Sequence, residues 1–378
     1  MKIRFLLVIG AFILCIVLVV IIKQASGERY RLSQVDFYEN MQNWANFEID
    51  NLKQNEDLQQ LLIVDTKLPG ELTSPIIKTK YDFDEILLSW NCHVDPPGGL
   101  FVILSVSDDS LDWHDFGYQI WGGIDPDSVG FNCYPKTIDS VGEVDEDIIR
   151  LEKPMRYYKF ATTMYAGETG WFSFDRISVC YSKLKASPAL YRKFKPHEEE
   201  IRPVELAVPF QSQDWLPDSI AGLTCSPTSV TMVLNYHGFD YTTMEIAAAV
   251  YDPYNDIYGN WPYNAEAAYQ LGLNKCWIGR HNSFKELARE LNDGIPVIIS
   301  IAVGEGQKIT GAPYKHTQGH LIVVRGFDDM GRVLVNDPAA DNAEDGMLAY
   351  DMDELTDAWV NHQGVAYHLW PRSYDAVP

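Results

Sequence analysis

The sequence predicts three parts: an α+β domain of helices plus antiparallel sheet at the C-terminal end, an all-β sandwich or jelly roll before it, and a transmembrane helix at the start. Three observations carry this. An apolar run, Phe5 to Ile22, opens the chain. Short strand patterns broken by turn residues fill Leu61 to Lys185. Helical periodicity followed by apolar β runs begins at Leu206. The expected boundaries are an anchor at 1–23, a β-sandwich accessory domain at 29–190, a linker at 191–205 and the α+β domain at 206–378. A chain of 378 residues exceeds one ordinary core and fits two domains plus an anchor.

Lys2 and Arg4 precede the apolar run and Lys23 closes it. Its eighteen residues span roughly 27 Å as a helix, marginally enough to cross a bilayer. The positive flank predicts a cell-membrane protein with a single pass, its N-terminus inside and both domains extracytoplasmic. Small residues Ala25-Ser26-Gly27 leave secretion after signal-peptide cleavage as the alternative. Cys15 follows Leu14 in mid-run, which is unlike a lipoprotein site. A hydrophobic content of 46% and an aromatic content of 12% indicate folded material. The net charge of −23 repels phosphate backbones, so no nucleic acid is expected as partner.

Beyond the anchor, Arg29 to about Gln60 is polar with scattered aromatics. Ile86–Asn91, Leu100–Val106, Tyr157–Met164 and Arg176–Cys180 follow as strand candidates, separated by turns such as Asp95-Pro96-Pro97-Gly98-Gly99. Trp113, Trp121 and Trp171 could line a carbohydrate or peptide groove, although core and rim packing explains them more simply. Asp108, Asp109, Asp112, Asp125 and Asp127 could hold calcium, but turn chemistry is the cheaper account. No CxxC pair exists. Any disulfide would join two of Cys92, Cys133 and Cys180. Lys193 to Glu205 is charged and proline-punctuated, as a linker is.

In the last domain, apolar Val230, Val233 and Leu234 recur at helical spacing after Cys225. Thr224 or Ser226 is expected to cap that helix, Pro227 suits its first turn, and Gly238 stops it. Thr243–Val250, Ala265–Leu271 and Ser283–Leu291 are further helices, the last with a Ser283/Glu286 capping box. Apolar β runs follow at 295–303, 320–327 and 333–336. The last two flank Asp328-Asp329-Met330-Gly331 and predict an antiparallel hairpin.

Cys225 at a helix N-terminus sits where unpaired amides and the dipole favour a thiolate. His320 opens one strand of the hairpin and Asp337 closes the other, so both belong at one sheet end. A carboxylate beside an imidazole fixes its tautomer and stabilises the imidazolium. With the cysteine helix across that end, the three make a Cys–His–Asp set for thiol catalysis. A His316/His320/Asp337 metal site is the outsider, because Gly319 precedes a strand rather than a helix.

Residues from about Val208 to Pro371 resemble the papain-like cysteine peptidases of the C39-like group, related to proteases that trim double-glycine leaders from bacteriocins. The segments that carry the likeness are Val208-Pro209-Phe210-Gln211-Ser212-Gln213, Cys225-Ser226-Pro227-Thr228-Ser229, Gly259-Asn260-Trp261-Pro262, Gly319-His320-Leu321-Ile322-Val323-Val324 and Val335-Asn336-Asp337-Pro338-Ala339-Ala340. The resemblance implies Cys225 as nucleophile, His320 as base and then acid, Asp337 as its orienting group, and Gln213, with Gln211 as the fallback, at the oxyanion hole. No cofactor and no metal is expected. The front half is more loosely similar to exported members. Ser226 departs from the glycine usual after the cysteine, which predicts narrower access at the thiol.

The resulting expectation is an exported, membrane-anchored cysteine peptidase or amide hydrolase. It would act through a thioester on a peptide or protein substrate, which could be cell-wall-associated. The alternatives are a thiol acyltransferase or transpeptidase, and a surface-binding protein whose papain-like domain is silent.

Overall fold

The computed structural model describes residues 30–124 and 138–371. The expected anchor at 1–23 lies outside them, as do Cys133, Asp125 and Asp127. Among the described residues no helix is long and apolar enough to cross a membrane. The described parts of 33–183 and 196–378 form one compact unit. A second, small unit joins Tyr30–Leu32 to Leu184–Lys195 through an Ala186 N–H bond to the Tyr30 carbonyl at 2.7 Å.

The β region is longer-stranded than its sequence pattern suggests. Ile77–Val94 and Ile148–Tyr165 run 18 residues each, flanked by Gly99–Ser107 and Phe172–Lys183. All pairings among these strands are antiparallel. The strands expected to build the sandwich form one 12-stranded hydrogen-bonded network, in which seven lie along a single path and five branch from it. Register shifts between Arg150 and Tyr157, and between Phe174 and Arg176, let the long strands bend and change neighbours midway. Ile86 to Cys92 are buried without a break, so both faces of that strand are covered. The acidic loop at 107–112 is turn chemistry: Asp109 accepts from the Leu111 and Asp112 amides at 2.7 and 3.0 Å. Of the three tryptophans, Trp121 is buried against Tyr263, Trp113 carries Lys159 on its face, and Trp171 is half exposed.

The second sheet has 7 strands and is antiparallel. Its order is Lys275–Arg280, Val365–Trp370, Val297–Val303, Thr317–Phe327, Val333–Asn336 and Met347–Tyr350, with Val204–Glu205 added beside Thr317–Phe327. The expected hairpin forms around Asp328, whose carboxylate accepts from the Met330 and Arg332 amides. Gly326 is required there: its φ is +142°, and a Cβ would fall 1.9 Å from the Val204 carbonyl oxygen. The helix Cys225–Tyr236 packs on Thr317–Phe327, and Met352–Val360 packs on Val297–Val303.

Helix ends differ from expectation. Thr224 makes no cap to the cysteine helix; its hydroxyl donates to the Ala221 carbonyl instead. Ser283 does not cap Phe284–Asn292 either, because its hydroxyl bonds Glu198 and Glu286 is drawn to His281 and the Asn282 amide. The capping box lies at Thr242 and Glu245, ahead of Thr243–Val250. Asn260 caps Trp261–Gln270, which therefore starts four residues before Ala265. Gly238, at φ +91°, follows the cysteine helix as predicted.

The outer edge of the second sheet is closed by side chains of the first. Lys275–Arg280 is an edge strand. The Asn91 amide accepts from the Cys276 N–H at 3.2 Å and donates to its carbonyl at 2.9 Å. Ser89 accepts from the Ile278 N–H at 3.2 Å. These bonds stand in for part of a neighbouring strand at that edge. A buried ion cluster reinforces the junction: Glu85 holds both Arg280 and Arg150.

Candidate active site

Cys225 is the first residue of its helix and is half-buried, with Ser226 to Leu234 fully enclosed behind it. The Val323–Asn336 pairing in the hairpin brings the start of one strand near the end of the other, and with them His320 and Asp337. His320 Nε2 meets Asp337 Oδ1 at 2.7 Å, with the aspartate fully buried. That leaves Nδ1 as the ring nitrogen to serve Cys225, whose thiol the imidazole influences directly.

The electrostatics follow from this line of three groups. Burial pushes the Cys225 thiol up, but the hydrogen bond and positive charge of His320 outweigh it, and the thiol lies below its ordinary value. Burial also pushes the His320 imidazole down, yet the Asp337 charge and hydrogen bond raise it to about 10. Asp337 itself is held low, because the His320 charge and the hydrogen bonds around it exceed the penalty of burial. These shifts favour a thiolate–imidazolium pair over the neutral pair.

Asp337 is saturated with donors. Tyr314 and Tyr350 donate their hydroxyls to Oδ2 at 2.9 and 2.8 Å, and the Ala339 amide donates to Oδ1 at 3.1 Å. The Tyr314 ring also stands edge-on to His320, with centroids 5.0 Å apart. Sequence reasoning missed both tyrosines. Tyr350 could have been found from the strand that follows Asp337, whereas Tyr314 lies in a loop with no periodic signal.

Gln213 opens a single 3₁₀ turn, Gln213–Trp215, and is strapped to the site by its amide N–H on the Pro338 carbonyl at 2.9 Å. Its side chain is buried, and its Oε1 has no hydrogen-bond partner among the described residues. Gln211 is half-buried in the same strap. Ser226 does not narrow the thiol's surroundings. It is fully buried and its hydroxyl is 2.9 Å from that of Tyr367, so it points into the sheet. His316 does not join His320 and Asp337; it lines a separate cavity.

Cys225 opens on a cavity of about 300 Å³. Gln318, Gly319 and Leu321 line one side, and Trp261, Asp147 and Arg150 are among the others. Gln318 and His362 also border a second hollow of about 610 Å³.

Residues 205–367 match the Peptidase_C39 like family. Among solved structures, a C39-like peptidase from Bacillus anthracis is similar at 21% identity, over 45% of this chain and 98% of its own, with a TM-score of 0.35. A double glycine motif protease from an AMS/PCAT transporter, solved in complex with the leader peptide, is similar at 20% identity over 46% of this chain and 99% of its own, with a TM-score of 0.30. The peptidase domain of Streptococcus ComA is 17% identical over 40% of this chain and 93% of its own, with a TM-score of 0.29. No curated protein matches the chain.

Proposed function

Residues 205–367 belong to the Peptidase_C39 like family, and from that premise we propose that this protein is a cysteine peptidase using Cys225, His320 and Asp337. The observation that carries the proposal is the buried Asp337–His320 pair, whose imidazole lowers the thiol pKa of Cys225 at a helix N-terminus beside an open cavity.

The steps follow from the charges. The Cys225 thiolate attacks the carbonyl carbon of a peptide bond, and the carbonyl electrons move to its oxygen. The Cys225 backbone N–H and the Gln213 amide donate to that oxyanion. His320, protonated beforehand, gives its proton to the departing amine, leaving a thioester. His320 then takes a proton from water, which attacks the thioester, releases the acid and restores the thiol pair. Asp337 keeps the imidazole oriented and balances its charge throughout.

We assign the chain's place by the same reasoning from sequence: Phe5–Ile22 anchors it in the cell membrane and the peptidase acts outside, on a peptide or protein substrate. Protease added to intact cells should then degrade the domains. Protection from it would overturn that topology.

The test of the chemistry compares activity and melting temperature. Cys225→Ala should abolish turnover and His320→Ala should nearly do so. Gln213→Ala should lower it by roughly 10²-fold, the scale of one lost oxyanion donor. All three should keep a folded protein. Turnover surviving in Cys225→Ala would refute the assignment.

A further inference from the structure

Resting on the peptidase reading, we propose that Asp147, a residue of the first sheet, positions one wall of the peptide cleft, so that this sheet takes part in selecting the substrate. Asp147 lies in the turn between Gly142–Asp145 and Ile148–Tyr165 and lines the same cavity as Cys225. It is 4% exposed, and its Oδ2 accepts from the Trp261 N–H at 2.7 Å. Trp261 begins the helix Trp261–Gln270 and faces the cavity as well.

Two further bonds tie the turn down. Gln119 donates to the Glu146 carbonyl at 2.9 Å and accepts from Asn260, the cap of the Trp261 helix, at 3.3 Å. The Tyr118 hydroxyl donates to the Asp147 carbonyl. Arg150, on the same wall, bridges Asp145 and Glu85 at 3.0 and 2.7 Å, and Glu85 also holds Arg280 of the second sheet. The turn is thus tied to the peptidase region through Trp261 directly, and through Gln119–Asn260 and Glu85–Arg280. Opposite it, a Cβ at Gly319 would meet nothing within 4 Å. A substrate residue next to the scissile bond would lie between Gly319 and the Asp147–Trp261 wall. Burial also raises the Asp147 carboxyl to about 8, so the charge of this wall depends on pH.

The test uses the full-length protein and two alkylating probes. Iodoacetamide needs only the thiol; benzyloxycarbonyl-trialanyl chloromethyl ketone must lie in the cleft to react. Asp147→Ala should slow the peptidyl reagent by about tenfold or more, as a displaced wall would, with iodoacetamide unchanged. Asp147→Asn keeps an oxygen for the Trp261 N–H, so it should restore the rate while losing an inflection near pH 8 in the wild-type profile. Wild-type rates for both probes in Asp147→Ala, or equal slowing of both, would overturn the proposal. If Asp147→Ala does not fold, Trp261→Ala tests the same wall: wild-type rates for both probes there overturn the proposal. If neither probe labels Cys225 in the wild type, the peptidase reading fails first and takes this proposal with it.

Discussion

The Tyr350 hydroxyl donates to Asp337 Oδ2 at 2.8 Å, on the oxygen that His320 does not use. Asp337 therefore has both oxygens engaged, and the carboxylate cannot rotate away from the imidazole. Tyr314 shares that oxygen at 2.9 Å.

Removing these hydroxyls should weaken the pair without dismantling it. Tyr350→Phe and Tyr314→Phe each delete one hydrogen bond to a charged group, a loss of about 1.5–3 kcal/mol. The double variant should lose turnover by at least about tenfold and show a higher Asp337 pKa by carbon-13 NMR. An unchanged Asp337 titration would mean the tyrosines merely fill space.

The pH dependence has two opposite limbs. His320 is raised in the folded chain, so its contribution to stability is complete below about 6.5 and is lost as pH climbs to about 10. Asp337 is lowered, so its contribution is present above about 3.9 and is lost as pH falls through its folded value. Both are complete between about 4 and 6.5. The melting-temperature gap between wild type and Asp337→Asn should be widest in that window and shrink on either side. In the same titration, Cys225 alkylation by iodoacetamide should persist well below pH 8.5, the ordinary thiol range, while Cys276, whose burial raises its thiol, stays unlabelled. A gap independent of pH would contradict the ion-pair account.

The junction between the sheets should be brittle at Asn91. This residue is fully buried and satisfies both the N–H and the C=O of Cys276. Asn91→Ala orphans both, at about 1–3 kcal/mol for each buried group. Urea unfolding should show a loss of about 2 kcal/mol or more, with Asn91→Asp intermediate because it keeps an acceptor for the N–H. A loss within about 0.5 kcal/mol, as for an ordinary surface change, would mean that water replaces the side chain.

Local pattern carried much of this protein. The apolar spacing behind Cys225 forms a helix that starts at the cysteine, and the runs at 320–327 and 333–336 pair around the Asp328 turn. Because antiparallel pairing brings strand starts beside strand ends, those two facts alone made His320 and Asp337 neighbours across 17 positions. Helix caps were less legible. Ser283 had competing partners, and its hydroxyl went to Glu198, 85 residues away.

What only the tertiary structure decided is the company each group keeps. Tyr314 enters the site from a loop, Asn91 reaches Cys276 across 185 positions, and Asp147 reaches Trp261 across 114. None of these leaves a periodic trace. Helix and strand patterns record which face of an element is apolar, whereas a single polar contact between distant segments depends on how whole sheets bend and meet. Cys225, His320 and Asp337 were written in the local pattern of this chain, and the walls and hydrogen-bond donors around them came from its long-range packing.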